Sequence, residues 1–287
     1  MQLAVSTYSF QRLFDTGRMT QLDCIEKAKE LGFDAVEFVD VIVPPGDGRS
    51  KKEYARALGD AAHSCGMAVS NFTFSADLLC SEGGTQAEIE RIKGMLELAA
   101  LTGAKSVRHD AAWGPGEYRT FDAALPHLAE ACRQVAAYAQ TLGIRTMVEN
   151  HGAFCQESSR MERLYTAVDH PSFGLLVDIG NFLCADESPA SAVGRLAPYA
   201  AYVHAKDFHI KSGQAPDPGE GFFRSRGGTY LRGAILGHGD VPVRQCLAVL
   251  KQAGYQGAAA IEFEGLEDPL QAIPISLANL RRFLQEA

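Results

Sequence analysis

Four stretches of this sequence are apolar runs that end in a residue able to hold a metal ion. They are Val148-Glu149-Asn150-His151, Leu176-Val177-Asp178, Val203-His204-Ala205-Lys206 and Ile261-Glu262-Phe263-Glu264. Glu149, Asp178, His204 and Glu262 make a hard, mixed oxygen and nitrogen donor set. Such a set suits one divalent cation, Mn²⁺ first, then Mg²⁺ or Co²⁺, with water positions left open; Zn²⁺ fits less distinctively. One such residue at the end of a run says little, because polar residues commonly terminate strands. Four at consecutive ends point to a shared site. Side chains alternate along a strand, so His151 shares the face of Glu149, and Lys206 that of His204, if the strands run that far. His151 is then a candidate base or hydrogen-bond donor. Lys206 is a candidate stabiliser of an oxyanion or a leaving group, while Asp207 is expected to turn away and pair in the next loop.

These residues need a frame that brings four strand ends to one place. A recurring pattern supplies it: an amphipathic stretch closes on a glycine, and a short apolar run follows. Gly32, Gly66, Gly103 and Gly143 mark it, 34, 37 and 40 residues apart. That is the length of a strand-plus-helix unit, with glycine as the left-handed residue after each helix. Strands are expected near 2–6, 34–38, 67–71, 105–109, 144–149, 173–178, 200–206 and 258–263. Helices are expected over 20–31, 50–65, 85–102, 122–142, 158–170, 189–197, 243–253 and 269–285. Eight alternating units in 287 residues predict a (β/α)₈ TIM barrel forming a single domain, 1–287, whose strand ends share one mouth. An open doubly wound sheet is the rival, but there is no G-x-G-x-x-G after the first strand and no P-loop. The stretch 207–242, rich in Gly and Pro, is too long for an ordinary connection and is expected as a loop over the C-terminal face.

Composition narrows the partners. Lys and Arg number 27 against 35 Asp and Glu, a net charge of −8, which repels nucleic acid and anionic membranes alike. Seven cysteines, odd in number and without a C-x-x-C pair, fit free thiols in a reducing cytoplasm better than disulfides or a cysteine zinc site. The N-terminal residues show no basic segment followed by a long apolar one, and no run approaches the roughly 18 apolar residues of a membrane helix. Cytoplasmic localisation is therefore expected.

The motifs V-E-N-H at 148–151, V-D-x-G-N at 177–181, V-H-x-K-D at 203–207, G-x-G-x-V at 237–241 and I-E-F-E at 261–264 resemble the xylose-isomerase-like TIM-barrel superfamily. This group includes sugar phosphate isomerases and epimerases, ketose 3-epimerases, inosose dehydratases and family 2 AP endonucleases, and the resemblance spans essentially the whole chain. It implies that Glu149, Asp178, His204 and Glu262 bind one divalent cation, and that the two glutamates also act as paired acid/base groups. The implied activity is isomerisation or epimerisation of a small sugar or sugar derivative through a cis-enediolate. The alternative is a lyase or dehydratase that uses the same enediolate to eliminate a β-substituent from a keto-sugar, keto-inositol or 3-keto-glycoside. A non-catalytic sugar-binding barrel is disfavoured by the intact ligand set.

A carbohydrate substrate gives further residues a role. His109 and Trp113, at and after the fourth strand, would form an aromatic floor beneath a sugar ring; Glu37 and Tyr8 would wall the pocket. The loop cations His209, Arg224, Arg226, Arg232 and His238 could receive a phosphate or carboxylate, Arg232 being the candidate substrate contact. Asn181 stands where many members carry a substrate-touching histidine. Ile210 and Lys211 occupy the region where ketose 3-epimerases place an arginine, which disfavours a free ketohexose. Asn71 and Asn181 replace two ligands that a trinuclear zinc endonuclease needs. Barrels of this kind often pair, and Cys155 and the 207–242 loop are candidate contacts of a homo-oligomer.

Overall fold

The helices start and stop where local chemistry dictates. In the computed structural model, which describes all 287 residues, capping boxes formed by Thr20 with Asp23 and Ser50 with Glu53 open helices Gln21–Leu31 and Lys51–Ser64. Gly32 and Gly103 close helices Gln21–Leu31 and Gly84–Thr102 at φ of 87° and 85°, a conformation that side chains resist. Further helices span Phe121–Thr141, Ser158–Val168, Pro189–Leu196, Val243–Gln252 and Pro269–Glu286.

Eight parallel strands alternate with them: β1 (Gln2–Ser6), β2 (Ala35–Val39), β3 (Ala68–Phe74), β4 (Ser106–His109), β5 (Arg145–Glu149), β6 (Phe173–Asp178), β7 (Ala200–Ala205) and, last in the chain, β11 (Ala258–Ile261). They close in the order β1-β11-β7-β6-β5-β4-β3-β2, a (β/α)₈ TIM barrel as expected. Inside, Ala4, Ala35, Ala258 and Ala260 meet Met147, Leu176 and Tyr202, small side chains on one wall leaving room for large ones on the other. The main core lies outside the strands, where Phe38, Phe72, Phe173 and Ile25 are fully buried beneath the helices. No helix is long and apolar enough to cross a membrane.

The stretch 207–242 departs from the expectation of an unstructured loop. It carries an antiparallel sheet of β8 (Asp207–Lys211), β9 (Phe223–Arg224) and β10 (Tyr230–Ala234), with β10 in the middle. Its strands are short and separated by glycine, so no alternating pattern of useful length stands out. Asp207 anchors it: the carboxylate accepts N–H groups from Phe208 (2.8 Å), Gly237 (2.8 Å), Gly239 (2.9 Å) and Val241 (3.1 Å). The V-H-x-K-D and G-x-G-x-V motifs are thus two halves of one turn, and Asp207 does pair within the loop.

Candidate metal centre

At each of four adjacent strand ends a layer of potential metal ligands sits two residues beyond the apolar layer that fills the barrel. Glu149 follows Met147, Asp178 follows Leu176, His204 follows Tyr202 and Glu262 follows Ala260. The alternation that sends one set inward therefore sends the other inward as well. One ligand atom from each of Glu149, Asp178, His204 and Glu262 lies within 4.8 Å of the others. His204 Nδ1 stands 3.4 Å from Glu149 Oε1, 3.4 Å from Glu262 Oε1 and 3.8 Å from Asp178 Oδ2.

Two of these atoms test whether a cation fits. His204 Nδ1 and Asp178 Oδ2 are fully buried and have no hydrogen-bond partner. Buried polar atoms are rarely left so, and an ion between them would satisfy both. The remaining atoms of the set are held from behind. Glu37 Oε1 and Oε2 lie 3.0 and 3.1 Å from His204 Nε2, which leaves Nδ1 to face the cluster. Asp178 Oδ1 accepts the N–H groups of Gly180 (2.7 Å) and Asn181 (2.9 Å). Each glutamate gives Oε1 to the centre and Oε2 to a buried cation: Arg108 Nε for Glu149, and Lys206 Nζ at 2.6 Å for Glu262.

The charges follow from this. Burial would raise the carboxyl of Glu149, but Arg108 and His204 outweigh it and hold it well below the usual range. Glu262 is lowered likewise, burial being overcome by Lys206 and His204. Asp178 goes the other way: burial pushes it up to about 7, Lys206 only partly offsetting the added repulsion of Glu149 and Glu262. His204 is raised well above its usual value, since Glu37, Glu262 and Glu149 overcome the effect of burial.

Two adjoining cavities open above the cluster. The inner one, 290 Å³, is bounded by Tyr8, Arg108, Asp110, Glu149 and Glu262; the outer one, 470 Å³, by Asn181, Phe208 and residues 223–226. Trp113, His151, Lys206 and Glu264 border both. His151 Nδ1 is 2.8 Å from Asp110 Oδ1, and its ring meets Trp113 edge-on at 4.7 Å. Asn181 Nδ2 donates to Glu149 Oε1 at 3.0 Å, and its Oδ1 accepts from Lys206 Nζ at 3.3 Å.

Three expected substrate contacts are placed elsewhere. Glu37 is fully buried beneath the cluster, hydrogen-bonded to His204 and to Asn71 Nδ2 (3.0 Å), and walls neither of these two cavities. His109 is fully buried against Phe74, with Nδ1 2.8 Å from the Asp110 carbonyl; the inward residue of β4 is its neighbour Arg108. Arg232 packs over Phe222 and lies 3.9 Å from Glu267, so Arg224 and Arg226 are the loop cations that reach the cavity. Cys155 is buried within the chain, which removes it from any contact between copies. Sequence reasoning missed Arg108, whose Nη2 also holds Asp110 Oδ1 at 2.8 Å. Alternation groups Ser106, Arg108 and Asp110 on one face of the strand but leaves open which face is inward.

Comparison with known proteins agrees with this architecture. A family model described as xylose isomerase-like TIM barrel matches residues 25–283. The protein YihM of Escherichia coli K12 is 24% identical over 258 residues, which cover 87% of this chain and 68% of YihM. The structure of AsbF, a probable 3-DHS dehydratase involved in petrobactin synthesis in Bacillus anthracis, matches with a TM-score of 0.76 at 15% identity, covering 98% of this chain and 99% of that one. The apo 3-keto-D-glucoside 4-epimerase YcjR of E. coli matches with a TM-score of 0.72 at 19% identity, covering 98% and 99%. At these identities the likeness to solved structures is one of fold.

Proposed function

The chain belongs to the xylose isomerase-like TIM-barrel family, and we propose that it is a divalent-metal-dependent isomerase or epimerase of a keto sugar or sugar derivative. Glu149, Asp178, His204 and Glu262 would hold the ion, Mn²⁺ by preference. When bound, it would supply Lewis-acid stabilisation of negative charge on a substrate carbonyl and its neighbouring hydroxyl.

The observation that carries the reading is the matched placement of the two glutamates. They are the outer members of an arc of four adjacent strands, β5-β6-β7-β11. Each turns one oxygen to the centre and the other to a buried cation. Arg108 and Lys206 keep both ionised, the form that accepts a proton. Epimerisation needs one group to take a proton from one face of a carbon and another to return one from the opposite face; Glu149 would accept the first, and Glu262 would deliver the second after drawing it from Lys206 Nζ at 2.6 Å. His151, fixed by Asp110, together with Asn181 and Trp113 would contact and orient the substrate. The reading takes residues 1–287 as one cytoplasmic domain that acts on a small carbohydrate, with neither nucleic acid nor membrane as partner.

A second reading has its own support. His151 and Lys206 both border the outer cavity, where they could assist departure of a β-substituent. Incubating the Mn²⁺-loaded protein with ketoses and 3-keto-glycosides in D₂O separates the two. Deuterium at the carbon beside the carbonyl, with the substrate skeleton retained, supports the isomerase; release of water or an aglycone supports elimination. Absence of both across the panel overturns the proposal.

A further inference from the structure

The outer cavity is larger than the one above the carboxylates and chemically different. Small-molecule sites run from roughly 300 to 1,000 Å³, so the inner 290 Å³ suits one small polar molecule, and the outer 470 Å³ is room beyond it. Arg108, Asp110, Glu149 and Glu262 line only the inner space, with Tyr8 and Phe74, whereas Phe208 and Phe223 line only the outer one, and Trp113 borders both. Trp113 and Phe223 are 45% and 41% exposed, and both border the same cavity. Aromatic faces left open to water at a cavity wall mark a place where a ligand ring is expected to cover them.

The wall that carries Phe223 is fastened in place. Asp186 accepts Ser225 Oγ at 2.6 Å and the Gly227 N–H; a Cβ at residue 227 would fall 2.8 Å from Asp186 Oδ2 and push that carboxylate away. The Arg226 N–H donates to the Cys184 carbonyl at 2.9 Å, and its guanidinium pairs with Glu157. The outer cavity is therefore preformed. Lys206 and Arg226 both have carboxylate partners, but Arg224 has none: it lies over the Tyr230 ring at 4.4 Å and donates to its hydroxyl. Arg224 remains available to an oxygen substituent on a ligand.

We propose that the outer cavity is a second-ring subsite, so that the substrate is a glycoside-like molecule: its reacting sugar faces the carboxylates and its aglycone ring, aryl or glycosyl, lies between Trp113 and the 223–226 segment. The proposal rests on the carboxylate end being the sugar end. Trp113 is the only tryptophan of the chain, so its fluorescence reports occupancy directly. The Mn²⁺-loaded full chain is titrated with methyl β-glucoside, phenyl β-glucoside and cellobiose. Phenyl glucoside, cellobiose or both should bind about tenfold more tightly than methyl glucoside, as expected for burying a ring on aromatic faces. The ligand that gains identifies an aryl or a glycosyl aglycone. Phe223→Ala, at an exposed position, should abolish most of that gain and leave methyl glucoside unchanged. No gain for either ligand, or a gain that survives Phe223→Ala, overturns the subsite. Phe223 lies outside the carboxylate cluster and binding requires no turnover. A ring preference without any α-proton exchange would therefore sink the proposed reaction and leave the subsite standing.

Discussion

Replacing Glu37 by glutamine separates a residue that supports the metal from one that touches substrate. In the structure the carboxylate receives His204 Nε2 at 3.0 and 3.1 Å and Asn71 Nδ2 at 3.0 Å, all out of contact with water. Glutamine keeps the shape, but only one of its two terminal atoms can accept a hydrogen bond. With the carbonyl at the Oε1 position Asn71 loses its acceptor; with it at Oε2 the new NH2 stands 3.0 Å from His204 Nε2; in both cases His204 loses its negative neighbour. A hydrogen bond to a charged group contributes about 1.5–3 kcal/mol. Loss of such a partner behind a metal-ligating histidine typically weakens metal binding by about 10–100-fold. The two estimates agree, since 10–100-fold is about 1.4–2.7 kcal/mol. Isothermal titration of metal-free protein with Mn²⁺ should therefore show a Kd for Glu37→Gln raised by about one to two orders of magnitude. An unchanged Mn²⁺ affinity with weakened sugar binding would refute this reasoning and return Glu37 to the pocket wall.

Further consequences can be measured on the same protein. Asp178 titrates at about 7 and His204 well above its usual value, so a proton must leave each before an ion binds. Mn²⁺ uptake should release protons, and affinity should rise between about pH 6 and 8; titration in buffers of different ionisation enthalpy checks this, and pH-independent affinity contradicts it. Arg108→Met leaves Glu149 and Asp110 buried beside no guanidinium, a loss of about 3–5 kcal/mol in metal-free protein by urea unfolding; a loss below about 1 kcal/mol would show that the pairing is not needed. Gly239→Ala places a Cβ 2.3 Å from Asp207 Oδ1 and 2.5 Å from the Phe208 carbonyl, so Tm should fall by the equivalent of about 1–3 kcal/mol or more. An unchanged Tm would mean that Asp207 does not anchor the loop.

What could be read before the structure depended on how local the signal was. Strand and helix positions were legible because caps and glycines act within a few residues, as at Thr20, Ser50, Gly32 and Gly103. The grouping of Glu149, Asp178, His204 and Glu262 was legible because each stands at the end of its own strand and closure of the barrel brings neighbouring ends together. Residues whose roles depend on distant partners were misjudged. Glu37 acts on His204, 167 positions away, and nothing near either residue announces the pairing. Along Val107-Arg108-His109-Asp110, alternation allows two faces, and only the pairing of β4 with β3 and β5 in the closed barrel sends Arg108 inward and His109 into the outer core. The sheet after β7 was hidden for a related reason: β8 and β10 lie 18 residues apart, and each is too short to show its period alone.

The central claim is that four side chains grip one ion through a single imidazole nitrogen. Pulsed electron paramagnetic resonance of the Mn²⁺-loaded protein tests it most directly. The account predicts one tightly bound Mn²⁺ per chain with coupling to one directly ligated histidine nitrogen, and loss of that coupling in His204→Ala. No stoichiometric uptake, or a nitrogen coupling that persists without His204, would contradict it.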